Sequence, residues 1–145
     1  MRFDVENQLC SAQAFTGAAT VSTNSYQKQS AAQDISIGRR MAILVMPTVS
    51  AGAGSTVLLE AVQADVTALT TNIEVLSSVS VAAADFIVGS QHEVPIPQGV
   101  MDRLHLGLRV TITGGTTTAT IDAYLVPQDE IAKYKSFPKV VDAEV

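Results

Sequence analysis

Two histidines, one cysteine and a scatter of carboxylates are the residues of this chain that could bind a metal, attack a carbonyl or move a proton. His92 and His105 fall on two different predicted strands. A metal site needs several His or carboxylate ligands at matched spacing, such as i, i+4 on one helix face, and neither histidine has such a neighbour. His105 alternates with Arg103 and Arg109 on the polar face of its segment and reads as a surface histidine. Neither histidine comes with a G-x-S-x-G nucleophile context. Cys10 is the single cysteine, so the chain makes no internal disulfide and no thiolate zinc cage. It reads as a buried, inert thiol. Glu60, Asp65, Asp85 and Glu93 are carboxylates of the right type for paired acid–base work on a glycoside. Nothing in their spacing pairs them. Trp is absent and aromatics make up 5% of the chain, which removes the usual sugar-stacking platforms. Asp65 and Asp85 lie near predicted loops, but no D-x-[DN]-x-[DN]-G calcium pattern is present. No cofactor, no metal and no catalytic residue is expected.

One stretch approaches a nucleotide-binding motif. The apolar run Met41 to Pro47 is followed by Ser50-Ala51-Gly52-Ala53-Gly54-Ser55-Thr56. A phosphate loop of the G-x-x-x-x-G-K-[ST] kind needs a lysine, and this stretch has none. The dinucleotide fingerprint needs a third glycine where Val57 stands. A mobile hairpin loop is the expectation.

The charge balance narrows the partners. With 9 basic and 14 acidic residues the net charge is −5. No basic residue lies between Met41 and Asp102, whereas Glu60, Asp65, Glu74, Asp85, Glu93 and Asp102 fall there or at its border. The middle of the chain therefore offers no basic groove to nucleic acid or to an anionic membrane. The longest apolar run, Met41 to Pro47, is too short to span a bilayer. The opening Met-Arg-Phe-Asp-Val-Glu lacks the apolar core of a signal peptide. A soluble protein made in a reducing compartment is expected.

The elements that must position these residues are strands. The palette is rich in Val, Ala and Thr, whose branching at Cβ in Val and Thr suits a pleated surface. Leu104, Leu106, Leu108, Val110 and Ile112 alternate with Arg103, His105, Gly107, Arg109 and Thr111, which places the apolar set on one strand face. Gly114-Gly115 supplies a hairpin turn. Thr118 to Val126 returns with Ala119, Ile121, Ala123 and Leu125 inward, and Pro127 stops it. Met41 to Pro47 reads as a strand apolar on both faces. Ser55 to Asp65, Ile73 to Val81, Gln91 to Pro97 and Val21 to Gln27 complete the set. Ile73, Val75, Ser77, Val79 and Val81 are expected in one row, and Pro95 and Pro97 mark an edge or strand end. Seven or eight short strands in one 145-residue domain predict an all-β, jelly-roll-like two-sheet β-sandwich. Residues 15–127 form the expected sandwich. Residues 1–14 and 128–145 are expected as extended N- and C-terminal arms.

Read in order, the residues resemble the capsid cement (decoration) proteins of tailed bacteriophages, of the Bordetella-phage type. The resemblance runs through Ser11-Ala12-Gln13-Ala14, Ser22-Thr23-Asn24, Ile35-Ser36-Ile37-Gly38, Met41-Ala42-Ile43-Leu44-Val45 and Val62-Gln63-Ala64-Asp65. It continues through Val94-Pro95-Ile96-Pro97, Asp102-Arg103-Leu104-His105-Leu106, Gly114-Gly115 and Val126-Pro127-Gln128-Asp129-Glu130-Ile131, with Tyr134 and Phe137-Pro138 after. It covers about residues 9–138 and departs at the first ten residues and in the loops near 51–55 and 67–72. It implies a jelly roll seated on the outside of an icosahedral head, bridging major capsid protein subunits as a small homo-oligomer. A homodimer is expected, with a homotrimer as the alternative. It also implies synthesis in the host cytoplasm and a final place on the capsid exterior of the virion, with no nucleic-acid or membrane partner. The aromatic and charged residues of the arms and their border, Phe3, Phe15, Tyr134, Lys135 and Phe137, are the candidate capsid or oligomer contacts. Phe15 equally suits core packing. The alternative function is a carbohydrate-binding jelly-roll module on a virion or cell surface, for which the missing Trp is a handicap.

Overall fold

A computed structural model describes residues 7–30, 35, 39–99, 101–115 and 118–131. Nine strands follow one another: β1 (Gln8–Phe15), β2 (Thr20–Val21), β3 (Tyr26–Gln27), β4 (Met41–Val49), β5 (Thr56–Ala64), β6 (Glu74–Ala82), β7 (His92–Pro95), β8 (His105–Thr113) and β9 (Ala119–Pro127). One sheet has the order β1-β9-β4-β7. The other has the order β2-β8-β5-β6, with β3 also paired to β8. All pairings are antiparallel.

β2 and β3 lie along the same partner and act as two pieces of one interrupted strand. The pairs then nest: β1 with β9, β2/β3 with β8, β4 with β7, β5 with β6. First pairs with last and second with second-last, which is a long hairpin rolled into two sheets. That is the jelly-roll arrangement.

The core lies between the sheets. Ile43 and Val45 of β4, Val57, Leu59 and Ala61 of β5, Leu106, Leu108, Val110 and Ile112 of β8, and Ala119, Ile121, Ala123 and Leu125 of β9 all point into it. β4 is buried on both faces, as its unbroken apolar run predicts, with Ala42 and Leu44 in a second, smaller cluster. That cluster forms on the outer face of the first sheet, where a short helical turn at 128–131 seats Ile131 against Ala42, Leu44 and Val126.

Several expectations change. The N-terminal arm does not extend over 8–14. β1 pairs with β9 from Gln8 onward, and Leu9 and Cys10 are core residues. Two register shifts interrupt β1, and Ala12 takes the left-handed φ of +47° within the second. These bulges spoil the strict alternation that marks a strand in sequence. The β6 row also breaks. A register shift opposite Ala61 and Val62 reverses its parity, so Val79 and Leu76 pack on the core while Val75 and Ile73 are exposed.

His105 is 5% exposed, not a surface residue. Alternation assigned its face correctly, but a loop covers that face. In the β5–β6 connection Leu69, at φ +56°, is fully buried. It sits over Gly107, where an added Cβ would collide with Leu69 Cδ1 and lie 3.1 Å from Ser22 Oγ. Glycine lets Leu69 approach this closely; its backbone angle does not call for glycine.

Candidate interaction surfaces

The residues with chemical potential are held in structural roles. Cys10 is buried and donates weakly to the Ile121 carbonyl at 3.5 Å. Burial, and then the nearby Asp122 charge, push its thiol up to about 12. The His92 ring stacks on Phe86 with centroids 5.0 Å apart, and its Nε2 lies 2.9 Å from Ser90 Oγ. His105 Nδ1 lies 3.5 Å from Ser25 Oγ. Glu60 accepts two hydrogen bonds from Arg109, at 3.0 and 3.2 Å, across the β5–β8 ladder. Asp65, Glu74 and Asp102 all lie within 3.8 Å of the Arg103 guanidinium. Gln63 ties Glu74 to Asp102 through its side-chain amide. Among the described residues, no group of three or more His, Cys, Asp or Glu side chains is placed to hold a metal ion.

The glycine-rich stretch 50–56 is a crossing between sheets. Gly54 packs on the β8–β9 turn, and Ser55 Oγ donates to the Gly114 carbonyl at 3.1 Å. Gly114 and Gly115 both have positive φ, +74° and +48°. A Cβ on Gly115 would collide with the Ala53 carbonyl oxygen and lie 3.0 Å from Ser55 N. The glycines let two connections touch backbone to backbone; they do not cradle a phosphate.

The registers place four connections at one end of the sandwich: 16–19, 50–55, 83–91 and 114–118. Their sequences contain one charged side chain, Asp85. Three large apolar residues stand exposed beside them: Val49 at 54%, Ile87 at 49% and Val88 at 60%. The second and third connections are laced together, with Ala51 N donating to the Phe86 carbonyl at 3.2 Å and Val88 N to Ser50 Oγ at 3.1 Å. The apolar trio is therefore presented on a braced platform. A loop end with Asp85 as its one charge, apolar and braced, is the kind of patch that desolvates readily against another protein.

The opposite end is charged. It carries the Arg103 cluster, and Arg39 pairs with both Asp129 and Glu130 at 3.1 and 3.2 Å. Beside it, a cleft of about 460 Å³ opens between the edge strands β6 and β7, lined by Arg40, Leu76, Pro95, Ile96, Pro97 and Gln128 among others. Ser77 Oγ of β6 donates to the Pro95 carbonyl across it.

Of the contact residues expected from sequence, Phe15 is a core residue at 1% exposure and is not a surface anchor. Its position at the end of β1 aims it between the sheets. Phe3, Tyr134, Lys135 and Phe137 lie outside the described residues. Val49, Ile87 and Val88 were missed. The signal was present as four turn segments almost free of charge, which only the topology brings together.

The Bbp16 family model matches residues 9–125, from the first turn of pairing in β1 to the body of β9. The chain belongs to the Bbp16 family. The match spans all nine strands, so family and jelly roll coincide. The name suggests a Bordetella phage protein, and membership supports a phage-type protein. No curated protein matches the chain.

Proposed function

We propose that this Bbp16-family chain is a capsid cement protein, a non-enzymatic structural component that binds the outer surface of an icosahedral tailed-phage head and stabilises contacts between major capsid protein subunits. The observation that carries the reading is the charge-poor loop end with Val49, Ile87 and Val88 exposed on a braced platform. A rigid sandwich that offers one apolar tip and one charged end can touch two subunits at once. Each contact can be weak, because many copies on a closed shell add their effects. Binding only the assembled, expanded shell stabilises that state by mass action. The protein is made in the host cytoplasm, joins the virion exterior and associates as a homodimer, with a homotrimer as the alternative. The carbohydrate-binding alternative gains no support from the β6–β7 cleft, whose lining has no aromatic ring.

The test is reconstitution. Purified protein is added to heads stripped of it, and binding and heat resistance of the heads are measured. The proposal expects saturable binding and a higher disruption temperature. Ile87→Glu with Val88→Glu should weaken docking by about tenfold or more, because two charges must then be desolvated at the contact. Heads that neither bind nor gain stability would overturn the reading.

A further inference from the structure

The chain carries a net charge of −5, yet one recess in its surface is positive. The cleft of about 460 Å³ between β6 and β7 has apolar walls, with Leu76 on one side and Pro95, Ile96 and Pro97 on the other. Ile96 is a core residue and Leu76 packs against the core, so both walls are anchored. Ser77 Oγ donates to the Pro95 carbonyl and ties the walls together. Pro95 and Pro97 have no N–H to give, so an added strand finds no continuous ladder there. An occupant must be held through side chains. Among the described lining residues none is acidic, and Arg40 is the one charged group. Glu74 and Glu93 sit two residues from the walls and do not line the cleft. The Glu74 carboxylate is instead bonded to Gln63 at 3.2 Å.

The Arg40 main chain is fixed at the rim, since its carbonyl accepts from Gln128 N at 2.8 Å. Its side chain is exposed and makes no ion pair among the described residues. Arg39 next to it differs, because it pairs with Asp129 and Glu130 at 3.1 and 3.2 Å. The two carboxylates that follow Gln128 are therefore engaged, and the Arg40 guanidinium keeps its charge for a group from outside. A guanidinium pairs best with a carboxylate, through two parallel N–H···O bonds. Apolar walls exclude part of the water and weaken the screening of that pair. Ligand sites run from about 300 to 1,000 Å³, so the cleft has room for a short piece of chain. From these observations we infer that the cleft receives a short segment of a neighbouring shell subunit that carries an apolar side chain beside a carboxylate. The apolar group fills the space between Leu76 and the Pro95–Pro97 wall, and the carboxylate pairs with Arg40. The inference rests on the proposed place on the shell. It names a second contact, at the end of the sandwich opposite Val49, Ile87 and Val88.

The test has two arms. In the first, the ¹⁵N-labelled full-length protein without heads is titrated with the peptide acetyl-Gly-Leu-Glu-Gly-amide and with its glutamine counterpart. The acidic peptide should shift the amide signals of Leu76, Ser77, Ile96 and Gln128 and leave those of Ile87 and Val88 in place. The glutamine peptide, and the acidic peptide on Arg40→Gln, should bind about tenfold more weakly or less. In the second, Arg40→Gln should dock on stripped heads about tenfold more weakly than the unaltered protein, with its own melting temperature and sedimentation unchanged. Cleft signals that do not move overturn the inference, as does equal binding of the two peptides. Undiminished docking of Arg40→Gln overturns it too. Self-association lost in Arg40→Gln would put a second copy in the cleft and overturn the shell partner. Heads that take up neither protein would overturn the cement reading itself, an outcome distinct from docking that ignores Arg40.

Discussion

Substituting Gly115 by alanine tests whether the crossing at 50–56 is held by backbone contact. Two costs are expected. The first is conformational: φ is +48°, and an L residue in the left-handed region costs roughly 1–2 kcal/mol relative to glycine. The second is steric. The new Cβ would collide with the Ala53 carbonyl oxygen and sit 3.0 Å from both Gly54 C and Ser55 N. These are backbone atoms and cannot rotate aside. The 52–55 loop must shift, which strains it by roughly 1–3 kcal/mol and puts the Ser55 Oγ–Gly114 bond, worth about 1 kcal/mol, at risk. Gly99→Ala is the internal control. Its φ is +82°, yet nothing lies within 4 Å of an added Cβ, so it meets the conformational cost alone. Urea unfolding should give about 1 kcal/mol for Gly99→Ala and about 3–4 kcal/mol for Gly115→Ala, with m unchanged. In melting temperature the second should fall by roughly 6–15 °C. Equal losses for the two variants would refute the contact.

Three further outcomes follow from the packing and the charges. Phe15→Ala should cost about 3–5 kcal/mol, as a core truncation does, with docking per folded molecule unchanged; calorimetry beside a binding assay separates the two. Arg109→Ala leaves Glu60, 8% exposed, without its partner and should cost about 2 kcal/mol, below the fully buried case because Arg109 is a quarter exposed. A double-mutant cycle with Glu60→Ala should return a coupling of about 1 kcal/mol. Cys10 should resist a thiol reagent at pH 8 until urea unfolds the chain. Its folded thiol is raised to about 12 from an ordinary value of 9.0, so below pH 9 both states keep the proton and the thiol adds no slope. Between pH 9 and about 12 the unfolded state loses its proton first, and stability must fall with rising pH. Cys10→Ala should remove that part of the slope.

Much of the fold was legible because alternation reports faces. Strands β8 and β9 were readable from Leu106 to Leu125, and β4 from an apolar run that had to be buried on both sides. But β8 and β9 do not pair as the expected hairpin: the Gly114-Gly115 turn carries the chain from one sheet to the other. The failures share a cause. Alternation says nothing of bulges, so the pattern of β1 resembles an arm and that of β6 puts Val75 in one row with Val79. It also cannot tell whether a loop covers the outward face, and Leu69 covers the face near His105. The candidate surface was less legible still. Val49, Ile87 and Val88 are unremarkable one at a time, and the scarcity of charge in four turns matters only once the roll gathers them at one end. The aromatic residues chosen by type fared differently, since Phe15 turned inward and the others lie beyond the described chain.

The central claim is that the chain is a stoichiometric part of a phage shell. The most direct measurement is its copy number against the major capsid protein in purified particles, by quantitative mass spectrometry. Trypsin has no site between Arg40 and Arg103, so a second protease must cover that span. The account predicts a copy number comparable to that of the major capsid protein. Absence from the particle, or only a few copies on it, would contradict the cement reading.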